Sequence, residues 1–272
     1  MTRGLRTVLI RGMLHHLRMW DSRTANGVDH FIANSSFIAR RIWKVYRRAA
    51  DMIHPPVDLS AFRLTPDKGD YYVTASRLVP YKRVDLIVQA FAALPHRRLV
   101  VVGDGPELDR LRRLAPPNVT IAGFLPADKM RAYMEQARAF IFAAEEDFGI
   151  VMVEAQACGT PVIAYGKGGA QEVIRDLGQP YSTGVLFAEQ SAASLVGAVE
   201  RFEAAPDRID PVDCRRNAER FGQARFRAEL AQAISDQLAE LPTAGAGGRQ
   251  ARRGGAEHHG AAVFGGMPTA VG

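Results

Sequence analysis

Six short apolar segments alternate with helical segments between residues 71 and 203, and this alternation is the feature that most constrains the fold. The apolar segments lie at 71–76, 98–102, 119–122, 139–143, 161–164 and 184–187. The helices are predicted at 83–94, 106–114, 127–136, 150–158, 169–175 and 191–203. Strands that are apolar throughout and separated by helices predict a parallel sheet covered on both faces, a doubly wound α/β fold. Ligands of such a fold lie beyond the carboxyl ends of the strands.

The segments on either side of this alternation predict further helices and two short strands. Helices are expected at 5–25, 37–48, 211–221 and 223–241, and strands at 28–34 and 51–57. Ser35 or Ser36 is placed to cap the second of these helices. Residues 58–70 are polar and irregular, which is typical of a domain boundary. The end of the chain is rich in Gly and Ala, so we expect residues 243–272 to be disordered.

The positive charge of the chain lies at its two ends rather than in the predicted sheet domain. The formal net charge is +6, of which residues 1–50 contribute +8 and residues 241–272 contribute +2, so residues 51–240 carry −4. Nucleic-acid binding would favour a basic folded domain with interleaved aromatic and basic residues, and the sequence shows neither. We therefore expect no nucleic-acid partner, and interpret the basic residues as solvated helix surface or as contacts with an anionic membrane.

The apolar segments and the cysteines disfavour several other classes of protein. No stretch reaches the roughly 20 apolar residues that cross a bilayer, and the basic N-terminus lacks the apolar core of a secretory signal. Cys158 and Cys214 lack the spacing of a metal site, and His258 with His259 alone is weak evidence for one. We predict a cytoplasmic protein without a bound metal.

Basic residues follow the first strand of the sheet in the sequence SRLVPYKR, and two of them, Arg77 and Lys82, lie five positions apart. Arg77 closes the strand and Lys82 opens the next helix, so both side chains are expected at the carboxyl edge of the sheet. Arg binds a phosphate through two hydrogen bonds, and Lys adds a point charge. From the spacing alone, one shared anion site and two separate surface cations are about equally supported.

The turns after the second and third strands offer glycines and an aromatic side chain. In GDGPE, Gly103 and Gly105 permit positive φ and a close ligand approach, and Pro106 suits the first position of a helix. An ordinary turn explains the same residues. In GFLP, Phe124 is placed to border a nucleobase, and a buried aromatic beside a turn is an equal alternative.

The fourth strand leads into EEDFGIVMVEAQACG, which combines two carboxylates with the start of a helix. Gly149 frees the backbone before a helix that begins near Ile150, and the first N–H groups of a helix form an anion site suited to a diphosphate. Glu154 lies one turn further on the same face, and Glu146 lies in the preceding loop. Isolated carboxylates are usually solvated surface groups. The apolar neighbours that favour a pocket around Glu154 are Phe148, Ile150, Val151 and Val153.

Together these motifs resemble the retaining glycosyltransferases of family four, which have the GT-B fold. The signature of that family, two Glu separated by seven residues, is filled here by Glu146 and Glu154. The segments AQACGTPVIAYGKGGAQEVI, SRLVPYKR, VVGDGPE and AGFLP also resemble the family and occur in the same order. The resemblance covers roughly residues 28–235, and the combination is specific although each piece is common.

The resemblance implies a role for each matching residue. Arg77 and Lys82 would bind the donor diphosphate and stabilise the departing nucleoside diphosphate, together with backbone amides of the helix start. Glu154 would hold the ribose and Glu146 the donor sugar, so the candidate catalytic residues are Glu146, Arg77 and Lys82. Phe124 and Leu125 would border the base. The whole candidate donor-binding set is Arg77, Lys82, Gly103, Gly105, Phe124, Leu125, Glu146, Phe148, Gly149, Ile150, Val151 and Glu154.

The resemblance also implies the course of the reaction. Cationic side chains and a helix end would replace a divalent ion, so we expect a metal-independent enzyme without a cofactor. The anomeric configuration would be retained, with the acceptor attacking on the face from which the leaving group departs.

A GT-B enzyme has two Rossmann-like domains, and the resemblance places this chain mainly in the second. The expected division is a remnant of the N-terminal domain with the interdomain crossover (1–58), a nucleotide-sugar-binding domain (59–221), a C-terminal crossover helix (222–242) and a disordered tail (243–272). The N-terminal domain of the family supplies a histidine near the transferred sugar, and His15, His16 and His30 do not lie in a matching motif.

Two functions stay open at this point. The family resemblance favours a retaining hexosyltransferase, whereas the expected lack of most of the N-terminal domain favours a module that binds a nucleotide sugar without transferring it. A Rossmann dehydrogenase would need a Gly-rich fingerprint after the first strand, where this chain has cations. A sugar-nucleotide epimerase would need a Tyr-x-x-x-Lys pair, which the sequence lacks.

The segment MLHHLRMWDSRTANGVDHFIANS, residues 13–35, resembles mannosyltransferases of bacterial surface-polysaccharide synthesis. GDP-mannose is therefore the favoured donor, and another nucleotide hexose is the alternative. The acceptor would be a glycan or a lipid-linked glycan at the inner membrane face, where the protein would be peripherally attached.

Overall fold

The computed structural model of the chain describes residues 2–240. The strands are β1 Ile32–Ala33, β2 Asp51–Met52, β3 Tyr71–Ala75, β4 Arg98–Val102, β5 Val119–Gly123, β6 Ala139–Phe142, β7 Val162–Tyr165 and β8 Gly184–Phe187. The α-helices are α1 Thr2–Ala25, α2 Ser36–Tyr46, α3 Val84–Ala92, α4 Leu108–Leu114, α5 Ala127–Gln136, α6 Ile150–Ala157, α7 Ala170–Val173, α8 Ala192–Glu203, α9 Pro211–Glu219 and α10 Gln223–Glu240. Short 3-10 helices lie at Leu59–Ala61, Pro80–Lys82 and Pro206–Arg208. The predicted disorder of residues 243–272 lies outside the described residues.

The main sheet has the order β5-β4-β3-β6-β7-β8, and every neighbouring pair in it is parallel. The predicted doubly wound α/β fold is therefore confirmed. The chain first builds the sheet outward from β3 to β5, and then returns to place β6 on the other side of β3. Such a reversal opens a crevice at the carboxyl ends of the two central strands, which is where ligands of this architecture bind.

Helices cover both faces of the sheet because successive strand residues point to opposite faces. On one face, strand residues such as Val73 and Phe140 pack with α5, α6 and α9 through Met134, Met152 and Ala218. On the other face, residues such as Tyr72, Val101 and Ile141 pack with the helices α3, α4 and α8. Apolar residues on both faces of one strand explain why the strands are apolar throughout.

The two short strands before the sheet were predicted too long. The segment 28–34 forms only the two residues of β1 and the segment 51–57 only those of β2, and these two strands pair with each other. Val28 is 37% exposed, so its apolar side chain does not indicate a strand buried in a sheet. The prolines of the second segment have no N–H for a ladder, so β2 ends before them.

Several helix boundaries also differ from the prediction. Arg47 has a φ of 55° and ends α2 at Tyr46, earlier than expected. Lys82 does not open a helix, because it ends a 3-10 turn and Arg83, with a φ of 53°, separates that turn from α3. Pro106 lies before α4 rather than at its first position, since α4 begins at Leu108.

The helices α1 and α10 leave apolar side chains exposed. On α1, the exposed apolar residues are Val8, Leu9, Ile10, Met13, Leu14, Leu17, Met19 and Trp20. On α10, no described residue is buried, and Ile234 and Leu238 are 51% and 62% exposed. Within residues 2–240, no helix has the length and hydropathy needed to cross a bilayer.

Candidate functional site

A large crevice lies at the reversal of the sheet, between the loops that follow β3 and β6. It encloses about 710 Å³, within the range of about 300–1,000 Å³ typical of small-molecule sites. Its lining residues are Asn34, Pro55, Ala75, Ser76, Tyr81, Lys82, Glu145, Glu146, Asp147, Phe148, Gly149, Ile150, Val151 and Glu154. Below we call this space the main crevice. It contains the following predicted site residues: Lys82, Glu146, Phe148, Gly149, Ile150, Val151 and Glu154.

The N-terminus of α6 forms one wall of the main crevice. Gly149 precedes this helix with a φ of 84°, a conformation that favours glycine. Among the described residues, no side chain caps the start of α6. The first amides of a helix have no partners within the helix and carry its positive dipole end. The amides of Ile150 and Val151 are therefore available to an anion in the main crevice.

Lys82 and Glu146 form an ion pair in the main crevice, although they come from different loops. Their side chains are 14% and 21% exposed. The Lys82 ammonium also lies 5.6 Å from the ring centroid of Phe142, at the end of β6. One cation and one carboxylate thus lie together beside the positive end of α6, where a phosphate would be attracted to the cation and a sugar hydroxyl would donate to the carboxylate.

Glu154 occupies the second turn of α6 and lines the main crevice. Burial raises the pKa of this carboxyl, and the positive charge of Arg131 opposes the rise. A half-buried carboxylate with few charged neighbours is a strong acceptor for hydroxyl groups of a ligand, because little water competes for it.

Arg77 lines an adjoining cavity of about 370 Å³ together with Gly103, Asp104, Phe124 and Leu125. This second cavity shares Ala75 and Ser76 with the main crevice. The structure therefore places Arg77 and Lys82 in neighbouring cavities rather than around one point. Phe124 is 76% exposed, so it is not the buried aromatic that the sequence left as an alternative.

The two glycines of GDGPE serve packing within the protein. A Cβ on Gly103 would lie 1.8 Å from the carbonyl oxygen of Ser76, and a Cβ on Gly105 would lie 2.4 Å from that of Leu78. Both positions have positive φ. These glycines let the loop after β4 approach the loop after β3, which holds Arg77, and Gly105 does not line either cavity.

The loop between β7 and α7 holds the Glu146 loop in place. The amide of Gly169 donates to the carbonyl oxygen of Glu146 at 2.8 Å. A Cβ on Gly168 would lie 2.2 Å from the same oxygen, and a Cβ on Gly169 would lie 2.3 Å from the Cα of Phe148. These contacts fix the position of the Glu146 loop, which lines the main crevice.

Sequence reasoning missed two residues of the main crevice that come from the region before the sheet. Asn34 follows β1, and Pro55 lies shortly after β2. The rule that ligands lie beyond the carboxyl ends of strands would have pointed to both, had it been applied to β1 and β2 as well as to the main sheet. The other missed lining residues are Ala75, Ser76, Tyr81, Glu145 and Asp147.

Comparison with known proteins gives one family match and several relatives. The family model of the glycosyl transferases group 1 matches residues 58–221. The D-inositol 3-phosphate glycosyltransferase of Mycobacterium leprae (strain Br4923) is 34% identical over 182 residues, which cover 57% of this chain and 42% of that protein. The GDP-mannose-dependent alpha-(1-6)-phosphatidylinositol monomannoside mannosyltransferase of Mycobacterium tuberculosis (strain ATCC 25618 / H37Rv) is 30% identical over 208 residues, 65% of this chain and 53% of that protein. The chain thus spans about half the length of the curated relatives it matches.

Solved structures share the fold at lower identity. The sucrose-phosphate synthase of Thermosynechococcus elongatus superposes with a TM-score of 0.72 at 24% identity, covering 82% of this chain and 62% of that one. The Anabaena protein HepE, solved with UDP and glucose, superposes with a TM-score of 0.68 at 21% identity, covering 80% of this chain and 66% of that one.

Proposed function

Because the chain belongs to the group 1 glycosyl transferases, we propose that its main crevice binds the donor of a hexosyl transfer reaction, a nucleotide-diphosphate sugar. The observation that carries the proposal is the convergence of the α6 N-terminus with Lys82, Glu146 and Glu154 in one crevice. This set offers a site for anionic oxygens and acceptors for hydroxyl groups, which are the two polar parts of such a donor.

The diphosphate would lie against the amides of Ile150 and Val151, with Lys82 beside it. Negative charge grows on the leaving diphosphate oxygen as the bond to the sugar breaks, and preorganised donors stabilise that charge without rearrangement. We propose that Lys82 and the helix start fulfil this role without a divalent ion. Arg77, in the adjoining cavity, would reach the diphosphate from the nucleoside side.

The two carboxylates would bind hydroxyl groups at opposite ends of the diphosphate. Glu154 would accept from the ribose, and Glu146 would accept from the donor sugar. The base would extend into the adjoining cavity, bordered by Phe124 and Leu125. The Lys82 ammonium and the Glu146 carboxylate form an ion pair. The diphosphate would contact Lys82 of this pair, and the donor sugar would contact Glu146.

The proposed reaction retains the configuration of the anomeric carbon. The oxygen of an acceptor hydroxyl would bond to that carbon on the face from which the diphosphate oxygen departs, and the acceptor proton would pass to the departing diphosphate. The products would be the glycosylated acceptor and a nucleoside diphosphate.

We propose GDP-mannose as the donor. The resemblance of residues 13–35 to mannosyltransferases supports it, as does the mycobacterial relative that is named GDP-mannose-dependent. HepE, which was solved with UDP and glucose, supports a uridine donor instead. Calorimetric titration with GDP-mannose, UDP-glucose, GDP and UDP tests this choice: tighter binding of the guanine pair is expected, and tighter binding of the uridine pair would replace GDP-mannose by a uridine donor.

A second candidate function is donor binding without transfer. The chain spans about half the length of its curated relatives, and a glycosyl transfer site also needs residues that bind the acceptor. Release of GDP from GDP-mannose, with a bacterial lipid extract as acceptor, separates the two functions. Sustained release above the rate without the extract would establish transfer by this chain, whereas tight binding without release would favour the binding module.

A glycan or lipid-linked acceptor would bring the protein to a membrane surface, and we propose that α1 contributes to that contact. This helix exposes apolar residues and carries arginines, a combination that favours anionic lipid surfaces. Co-sedimentation with phosphatidylglycerol vesicles tests the contact, since binding should fall with added salt and should be absent with phosphatidylcholine alone. Equal binding to both lipids, or to neither, would contradict it.

A further inference from the structure

Glu172, on α7, connects the start of α2 with the loops of the main crevice. Its carboxylate accepts hydrogen bonds from the Ser36 amide at 3.0 Å, the Ser36 hydroxyl at 2.8 Å and the Phe37 amide at 3.3 Å. Its Oε2 also lies 3.0 Å from Nε2 of His54. The side chains of Glu172 and His54 are 16% and 17% exposed, so these bonds are largely withdrawn from water. We call Ser36, His54 and Glu172 the crossover cluster.

Glu172 caps α2 from a distant part of the sequence. The hydroxyl of Ser35 accepts from the amide of Ile38 at 3.2 Å, as a local cap does. The two preceding amides have no partner within the helix and donate to Glu172 instead. Burial raises the pKa of Glu172, but the hydrogen bonds from His54, Ser36 and Phe37 outweigh burial and leave the pKa lowered. The carboxylate is therefore ionised at neutral pH, as a helix N-terminus favours.

The crossover cluster lies next to two residues of the crevice wall. Asn34 is two residues before Ser36, and Pro55 directly follows His54, and both line the main crevice. The ring of His54 also lies 5.3 Å from the ring of Phe148, which lines the same space. A shift of the cluster would therefore move this part of the wall.

Through its own helix, α7, Glu172 is also connected to the Glu146 loop. α7 begins immediately after Gly169, whose amide donates to the carbonyl oxygen of Glu146. Glu172 thus joins the loop that contacts Glu146 to the segments that carry Asn34 and Pro55. The sequence motifs did not predict this connection through Glu172.

We propose that Glu172 is a positioning residue, which fixes Asn34 and Pro55 relative to Glu146 and so shapes the sugar end of the main crevice. The inference rests on the proposed function, because it takes the donor sugar to lie near Glu146. The proposed diphosphate ligands, Lys82 and the first amides of α6, are not members of the crossover cluster. Loss of Glu172 should therefore weaken binding of the sugar moiety while leaving binding of the nucleoside diphosphate.

The test compares Glu172→Gln with the unmodified chain by calorimetric titration. Gln keeps the size of the side chain but places an amide nitrogen against the donors of the crossover cluster. We expect the Kd for GDP-mannose to rise about tenfold, the size expected for lost hydrogen bonds to a charged group. The Kd for GDP should change by less than about twofold, since the diphosphate contacts are retained. UDP-glucose and UDP serve as a second pair of ligands.

Two further variants complete the experiment. Glu200→Gln removes an exposed carboxylate on α8 and should change neither Kd. Ser36→Ala removes one hydroxyl donor and keeps the backbone bonds, so it should shift the Kd for the nucleotide sugar in the same direction by a smaller factor. It replaces Glu172→Gln if that variant does not fold.

Three results would contradict either the positioning role of Glu172 or the proposed function. An unchanged Kd for the nucleotide sugar in Glu172→Gln would overturn the positioning role and leave the proposed function standing. An equal rise of both Kd values would also overturn it, because a general loosening of the fold would explain that result. Absence of nucleotide binding by the unmodified chain would overturn the proposed function itself.

Discussion

Gly169→Ala should destabilise the chain and loosen the Glu146 loop. The φ of Gly169 is −66°, which any residue adopts, so the effect is purely steric. A new Cβ would lie 2.3 Å from the Cα of Phe148 and 2.5 Å from its carbonyl oxygen. Both are backbone atoms, so no side chain can rotate away to relieve the contact.

Two contributions determine how far Gly169→Ala lowers the free energy of unfolding. Overpacking of this kind costs about 1–3 kcal/mol, and displacement of the loop also breaks the hydrogen bond from the Gly169 amide to the Glu146 carbonyl oxygen, worth about 1 kcal/mol. The free energy of unfolding should therefore fall by about 2–4 kcal/mol. For a domain of this size that corresponds to a Tm lower by roughly 5–15 °C.

Urea denaturation, with calorimetric titration of GDP-mannose on the folded fraction, measures both consequences. Gly197→Ala is the matched control, because Gly197 lies inside α8 and a Cβ there would meet nothing within 4 Å. The control should be more stable than the unmodified chain by about 0.5–1 kcal/mol. The reasoning is refuted if Gly169→Ala unfolds at the same urea concentration as the unmodified chain and binds GDP-mannose equally well.

Further predictions concern titratable side chains. Burial raises the pKa of Glu154 above 4.5, so the contribution of this side chain to stability is full below pH 4.5 and is lost as the pH rises through the folded pKa. The unmodified chain should therefore lose stability relative to Glu154→Gln over that range. A constant difference in urea midpoint between the two proteins would contradict this. Glu172, which faces His54, should show the opposite pH dependence, because its pKa is lowered from 4.5. The unmodified chain should be more stable than Glu172→Gln above pH 4.5, and this difference in stability should be lost as the pH falls through the folded pKa. Burial raises the pKa of the Cys158 thiol to about 12, and Cys214 is also buried, so neither thiol should react with Ellman's reagent at pH 8 until urea unfolds the chain; rapid reaction of the native protein would contradict their burial.

The sheet could be predicted because its signal is local and repeated. Most strand residues of the main sheet are buried, on both faces, so these strands are mainly apolar, and the structure places every predicted strand of this sheet within about a residue of its expected bounds. The order of the strands in the sheet, in contrast, could not be predicted from local sequence. Nothing in β3 or β6 marks them as neighbours, since the pairing depends on how the intervening helices pack.

The candidate site was predictable to the extent that it follows single strands. The α6 start, with Gly149 and Glu154, lies entirely within one motif and was identified from it. The ion pair between Lys82 and Glu146 joins residues 64 positions apart, and the bonds between Ser36 and Glu172 span 136 positions. Contacts at such separations leave no periodicity in the sequence, so the crossover cluster could not be predicted from it.

Local backbone geometry accounts for the remaining differences. Pro80 and the left-handed Arg83 turn the chain before α3, which places Lys82 in a 3-10 turn facing the main crevice. Arg77 precedes that turn and lines the adjoining cavity. The spacing of the two cations could not distinguish one shared site from two, because it does not show the direction of the intervening turn.

Binding of a nucleoside diphosphate without a divalent ion is the central claim, and calorimetric titration of GDP and UDP in the presence of EDTA tests it most directly. At least one of the two should bind the unmodified chain with a Kd below about 1 mM. Lys82→Met should raise that Kd by about 10- to 100-fold, the loss expected for one charged phosphate contact, whereas Lys44→Met, on the exposed side of α2, should leave it unchanged. A requirement for a divalent ion, or equal binding by Lys82→Met and the unmodified chain, would contradict the account.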